Sequence, residues 1–262
     1  MRPLHEIGGR IVRHKADWQR WQRLPLGQRL LREERALLTS LLAKKPGKHL
    51  FQLSIAGCEP LFDSSPIPHR IFAEIGVAGE SGQRESNSSL VTAPCYLPMG
   101  NETLDAVVLH HVLEYTANPL QLLADVRRGL TADGGLFLIG FNPYSLMGLR
   151  KVITPFNRAP WVGKFQSSGA LHSCLTEQAF STEVAQYAFF SAPFNSIKSA
   201  INNSGIERFG RKYNCFLGGT YAIVARKQTM AITPLHKPQF KQRIVTFPIT
   251  ELPRTHADQN HN

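Results

Sequence analysis

The sequence predicts an α/β fold in which a mostly parallel sheet carries helices on both faces. Two short apolar runs, Leu104–Leu109 (LDAVVL) and Leu136–Phe141 (LFLIGF), have the length and composition of buried strands. Between them, Asn118 and Pro119 open a helix with Leu120, Leu123, Val126 and Leu130 on one side, and Asp133-Gly134-Gly135 turns the chain back. Strand, helix and strand in this order form a right-handed crossover with parallel strands. Repeated alternation of this kind builds an open sheet covered on both faces.

The remaining elements follow along the chain. Residues 1–15 read as a flexible lead-in. From Ala16 the pattern is helical, with Trp18 and Trp21 on one face, until Pro25 and Gly27 interrupt it. A second helix, Gln28–Lys44, carries Leu30, Leu37 and Leu41 beside Leu31, Leu38 and Leu42, and Pro46-Gly47 stops it. Residues 16–46 are thus expected to form a helical cap on a main domain of residues 47–233. His49–Ile55 reads as the first buried strand. Three prolines in 57–69 exclude a regular helix there. Arg70–Ile75 reads as a second strand, and the Gly/Ser-rich stretch 76–90 as a loop. After Asn142 the chain turns irregular, with a helix expected around Thr176–Ala185. Ile206–Arg211 and Thr220–Arg226 are expected to close the domain as an antiparallel C-terminal hairpin across Gly218-Gly219. Residues 234–262 lack an apolar period and read as a disordered tail.

Composition narrows the class. No apolar run approaches the ~18 residues of a membrane span, so no membrane partner is expected. The charged start lacks the apolar run of a secretory signal, which points to the cytoplasm. Cys58, Cys95, Cys174 and Cys215 form no C-x-x-C pair and have no histidines at ligand spacing, so neither a zinc site nor a disulfide framework is expected. The formal charge is +11, and the first 50 residues hold twelve Lys/Arg against four acids. Such an excess attracts nucleic acid or another polyanion; the other reading is an ordinary solvated helix face.

One stretch carries a family resemblance. Leu97-Pro98 precedes the LDAVVL strand, His110-His111-Val112-Leu113-Glu114 follows it, and Arg128-Gly129-Leu130 leads into Asp133-Gly134-Gly135. This order resembles the centre of the class I S-adenosylmethionine-dependent methyltransferases (the type 11-like branch). Gly140-Phe141-Asn142-Pro143-Tyr144-Ser145-Leu146-Met147-Gly148-Leu149-Arg150, with Trp21–Glu34 before it and Gly218–Lys227 after it, is similar to the YafS-like methyltransferase-domain proteins of proteobacteria. The resemblance spans about residues 18–235. It implies a Rossmann-like fold, S-adenosylmethionine as cofactor, bacterial origin, and transfer of a methyl group to an acceptor it does not identify.

The implied site lies at the carboxyl ends of the strands, where strand order reverses. By this resemblance the cofactor lies over Ser54 and Gly57, its ribose towards Glu74, its adenine near Ala93 and Tyr96, and its methionine end near His110. A side chain at Gly57 is expected to block the ligand without disturbing the fold. The chain departs from the family in two places. Gln52–Pro60 keeps only Gly57 of the glycine-rich loop, and Ala93 stands where an acid commonly meets the adenine. These departures keep an alternative open: a non-catalytic binding or scaffold protein with a degenerate cofactor loop, docking RNA through its basic N-terminal helices. His110 or His111 at the rim serves either as a base or only in packing. Glu114 reads as the opening of the following loop. Asn142-Pro143-Tyr144 differs from the Asn-Pro-Pro-Tyr motif of amine methyltransferases in place and composition, and reads as a loop-shaping turn.

Overall fold

A computed structural model describes residues 15–55, 57–63, 65–75, 90–92, 97–153, 158–191, 193 and 204–228. The chain divides into Met1–Thr229 and Met230–Asn262, and the description concerns the first unit. The expected lead-in up to residue 14, the loop 76–89 and the tail lie outside the described residues.

In order, the elements are α1 (residues 15–22), α2 (Pro25–Leu42), β1 (His49–Ile55), β2 (His69–Ile75), β3 (Leu90–Thr92), β4 (Leu104–His110), α3 (Pro119–Gly129), β5 (Leu130–Phe141), α4 (Leu146–Ile153), α5 (Ser168–Glu177), β6 (Phe180–Ala188), α6 (Ser204–Lys212) and β7 (Thr220–Lys227). The seven strands form one sheet in the order β3-β2-β1-β4-β5-β7-β6. β1 to β5 pair in parallel, and β7 runs antiparallel to both β5 and β6. This is the mixed sheet of a Rossmann-like α/β fold. It reverses direction of travel between β1 and β4, the switch point where ligands of such folds bind.

The two faces follow from the alternation of strand residues. Phe51, Leu53, Val107, Leu109, Leu136, Leu138, Tyr221 and Ile223 point to one face, where Leu122, Leu123 and Val126 of α3 and Leu171 and Leu175 of α5 cover them. Leu50, Phe72, Ala106, Val108, Phe137, Ile139, Ala222 and Val224 point to the other and meet Leu38 and Leu42 of α2. Leu61, Phe62 and Ile67 of the proline-rich connection fill the same face, in the place a helix after β1 would take. α2 thus lies directly on the sheet. Pro25 stands at its first turn, where a missing N–H costs nothing, so the helix starts three residues before the expected Gln28. No described helix is long and apolar enough to cross a membrane.

The C-terminal third corrects the expected helix and hairpin. Ser167 caps α5 by accepting the Ala170 N–H at 3.2 Å, and Ala179, at a positive φ of 53°, ends it. The helix therefore occupies Ser168–Glu177, and most of the stretch Thr176–Ala185 belongs to β6. Thr182 there pairs with Ala225 of β7, and Thr and Val suit a pleated surface better than a helix. Residues 206–211 are helical within α6, not a strand. Glu207 reaches from this helix to the backbone N–H groups of Phe189 and Phe190 at 3.0 and 2.8 Å, and Gly210 lies tightly against the Phe190 ring. The partner of β7 is accordingly β6, with α6 between the two in the chain, so β7 forms no short hairpin with residues 206–211.

Candidate functional site

At the switch point the carboxyl ends of β1 and β5 are sealed by aromatic rings. Trp18 and Trp21 of α1 stack at 5.2 Å and pack with Leu26 and Leu30 of α2 over Ile55 and Phe141. Trp18 is fully buried. The tip of β4 is closed as well, because His110 and His111 are buried beneath α2.

An open cleft remains beside the tips of β1 and β2. It encloses about 560 Å³ and is lined by Gln19, Gln22, Arg32, Gly57, Cys58 and Glu74, with Arg23 and Arg35 also on its wall. That volume is in the range of ~300–1,000 Å³ usual for small-molecule sites. Gly57 has φ +91°, a conformation that favours glycine. Its N–H donates to Glu74 Oε1 at 3.1 Å, and Lys15 Nζ donates to Oε2 at 3.4 Å. Glu74 is 1% exposed. A Cβ on Gly57 would stand 2.8 Å from Gln19 Cγ and 3.1 Å from the Lys15 carbonyl. Substitution there strains the backbone and presses on α1, so it cannot leave the fold undisturbed, contrary to the expectation from sequence.

The other predicted positions separate. Ser54 is buried, accepts from Gln52 Nε2 at 2.9 Å and does not line the cleft. Gln52 also fixes the following loop, its Oε1 accepting the Leu61 N–H at 2.9 Å. His110 does not line the cleft and bonds to Glu34 of α2. Ala93 and Tyr96 lie outside the described residues. The structure therefore brings together Gly57 and Glu74, and not Ser54 or His110.

The sequence reading missed Glu34. This acid sits between Leu30 and Leu38 on the apolar stripe of α2, and that placement was its signal: a carboxylate on a buried stripe needs a partner. His110 Nε2 lies 3.0 Å from Glu34 Oε2, and His111 Nε2 lies 3.0 Å from Oε1. Glu114 meets His111 Nδ1 at 3.2 Å and accepts the Phe141 N–H at 2.8 Å. Glu114 is thus a buried partner rather than the opening of a loop. Burial alone would raise the Glu34 carboxyl, but the His111 charge and the bonds from both imidazoles outweigh it and hold the group at about 2. Burial works against the His111 imidazolium, yet Glu34 and Glu114 overcome it and raise the group to about 9. Burial, then the charge of His111, lowers His110.

A family model described as a methyltransferase domain matches residues 72–138, which run from β2 into β5. The chain is 26% identical over 227 residues to the uncharacterized protein YafS of Escherichia coli K12, covering 86% of this chain and 88% of that protein. It superposes with a TM-score of 0.56, at 16% identity, on a SAM-dependent methyltransferase from Thermotoga maritima, covering 85% of this chain and all of that one. The fold is that of the class I methyltransferases. Within this methyltransferase fold, the Gly140–Arg150 segment is a built turn. Asn142 Nδ2 donates to the carbonyls of Phe216 at 2.6 Å and Gly218 at 2.9 Å, while its Oδ1 accepts the Tyr144 N–H at 3.1 Å. Ser145 Oγ donates to the Asn142 carbonyl at 2.7 Å and accepts the Gly148 N–H at 3.2 Å. The motif shapes the loop after β5, as its sequence suggested.

Proposed function

We propose that this protein is an S-adenosylmethionine-dependent methyltransferase whose cofactor enters the cleft at the tips of β1 and β2. The pairing of Gly57 with Glu74 carries this reading. A buried carboxylate at the end of β2 suits a ribose, because it can accept from two adjacent hydroxyls, and its tie to the Gly57 N–H holds it in place. Gly57 lines the cleft, where its main chain is open to a ligand. The residues present fit the adenosyl end of the cofactor on these grounds.

When bound, S-adenosylmethionine would supply a methyl group on a positively charged sulfonium, which an acceptor nucleophile displaces in line. The chain's own residues hold and orient. Glu74 would accept hydrogen bonds from the hydroxyls, Gly57 would contribute main chain, and Gln19 and Gln22 of α1 border the same space. Rate enhancement would come chiefly from placement of the reactants, a familiar source of several kcal/mol. Arg23, Arg32 and Arg35 give the cleft a cationic wall, which favours an anionic acceptor, nucleic acid among the candidates.

Calorimetric titration with S-adenosylmethionine and S-adenosylhomocysteine tests the reading. Saturable binding of either, weakened in Glu74→Ala, is expected. Absence of binding to both would replace it with the non-catalytic one, in which the aromatic seal over Ile55 excludes a cofactor.

A further inference from the structure

Neighbouring residues at the end of a strand normally send their side chains to opposite faces. His110 and His111 do not. His111 has φ +55°, a left-handed conformation that residues with side chains adopt rarely and that clusters at functional sites. The result is that two adjacent imidazoles lie 4.6 Å apart, each with Nε2 facing one oxygen of the same Glu34 carboxylate at 3.0 Å. All three side chains are completely buried. One ligating atom from each of the three comes within 4.8 Å of the others.

We propose that Glu34, His110 and His111 form a site for a divalent transition-metal ion of the zinc class, which fastens α2 to the carboxyl end of β4. Two imidazole nitrogens and a carboxylate are a donor set that zinc and its neighbours accept, and the two Glu34 oxygens are already divided between the two rings. Donors placed ~2.0–2.2 Å from a tetrahedral zinc stand roughly 3.3–3.6 Å apart. The contacts of 3.0 Å would open by a few tenths of an ångström, while ligand atoms that now lie within 4.8 Å of one another would draw together around the ion.

The site also has an outer partner. Glu114 meets His111 Nδ1 at 3.2 Å, the outer carboxylate that keeps a metal-bound histidine's proton on Nδ1 and its Nε2 bare. His110 Nδ1 has no hydrogen-bond partner among the described residues, so moving that ring's proton from Nε2 to Nδ1 breaks no bond at Nδ1. On binding, the ion takes the place of the protons between Nε2 and Glu34, and these leave to solvent. It supplies the positive charge that otherwise only an imidazolium provides beside a buried carboxylate. The cysteines take no part in this set, which is why spacing rules for cysteine sites pass over it. The inference does not depend on S-adenosylmethionine binding, and its test reads metal alone.

The full chain is unfolded, then refolded with zinc sulfate, with cobalt chloride or with a chelator, since a buried site fills as the fold closes. Retention of close to one zinc per chain through a brief chelator wash is expected, with a higher Tm than the chelator-refolded protein. Cobalt should give the visible absorption bands of a four-coordinate ion. The wash separates this site from loose binding by surface histidines. His110→Gln retains a polar side chain, and should lose the tightly held zinc and the cobalt bands while its circular dichroism stays that of the parent. Should that variant fail to fold, the zinc content and cobalt spectrum of the parent decide alone. A parent chain that holds no zinc after the wash and melts identically in zinc and in chelator would overturn the proposal. So would zinc retained equally in a folded His110→Gln.

Discussion

The backbone N–H of Gly57 donates to the Glu74 carboxylate at 3.1 Å, so one acid side chain ties the tips of two neighbouring strands. Lys15 reaches the same carboxylate from α1. Glu74→Ala should weaken S-adenosylmethionine binding about 10- to 100-fold, and also cost roughly 1–3 kcal/mol of stability through the unpaired Gly57 N–H. Titration calorimetry and urea unfolding read the two effects separately. A variant that unfolds like the parent and binds like the parent would remove Glu74 from both roles.

Gly57→Leu should lower stability as well as binding, because its φ and the nearby Gln19 and Lys15 both oppose a side chain. A lowered urea midpoint is the expected result. An unchanged midpoint would mean that α1 lifts freely from Gly57.

The turn after β5 gives a test that does not involve ligands. Asn142→Ala removes two donated bonds and one accepted bond, and should cost about 2–3 kcal/mol. Gly148→Ala drives a Cβ into the Pro143 carbonyl, and should cost about 1–3 kcal/mol through overpacking. Chemical denaturation measures both, and stability equal to the parent in either would contradict the packing described.

Asp105 should give the protein an acid-sensitive component of stability. Its carboxylate accepts the N–H groups of Lys48 at 2.7 Å and His49 at 3.0 Å, where β1 begins. Burial pulls its pKa up, but these bonds and the nearby charges of His49 and Lys45 outweigh burial and hold it below the ordinary 3.8. A depressed carboxyl stabilises the fold above its unfolded value and loses that contribution as pH falls through its folded value. Asp105→Ala should therefore cost about 1 kcal/mol near neutrality, with the difference closing in strong acid. Unfolding midpoints of parent and variant across an acid series show whether the gap narrows.

The cationic wall of the cleft gives a prediction about partners. Binding of a short single-stranded RNA should weaken steeply with added salt as counterions are released, and Arg32→Glu should weaken it further. Arg35 is already engaged with Glu59 and the Pro60 carbonyl, and Arg29 lies over the Phe189 ring, so reversal at these two would also disturb packing. Binding insensitive to salt would return these arginines to an ordinary solvated face.

The parallel half of the sheet was legible because its signals are local. Apolar runs at β1, β4 and β5 and the Asn118-Pro119 start of α3 each mark an element without help from distant residues. β6 and α6 were not, since Thr182 and Glu207 take their roles from contacts with β7 and with Phe189–Phe190 far along the chain. In the site, Gly57 and Glu74 were named from the family pattern. Glu34 escaped because its partners His110 and His111 lie more than seventy residues away, and sequence spacing says nothing about a contact made by laying a helix across a strand end.

The position of β7 has a consequence for how the protein is made. It is the last of the seven described strands, yet it lies between β5 and β6, and among the described residues β6 pairs with no other strand. Until residues 220–227 have left the ribosome, β5 is an open edge and β6 has nothing to bond to. Leu136, Leu138 and Phe137 then await their cover on that side. An unfinished sheet of this kind exposes backbone and apolar surface together, the condition under which chains stick to one another. Completion of this sheet therefore waits for β7, and a nascent chain held short of it is a natural client for chaperones.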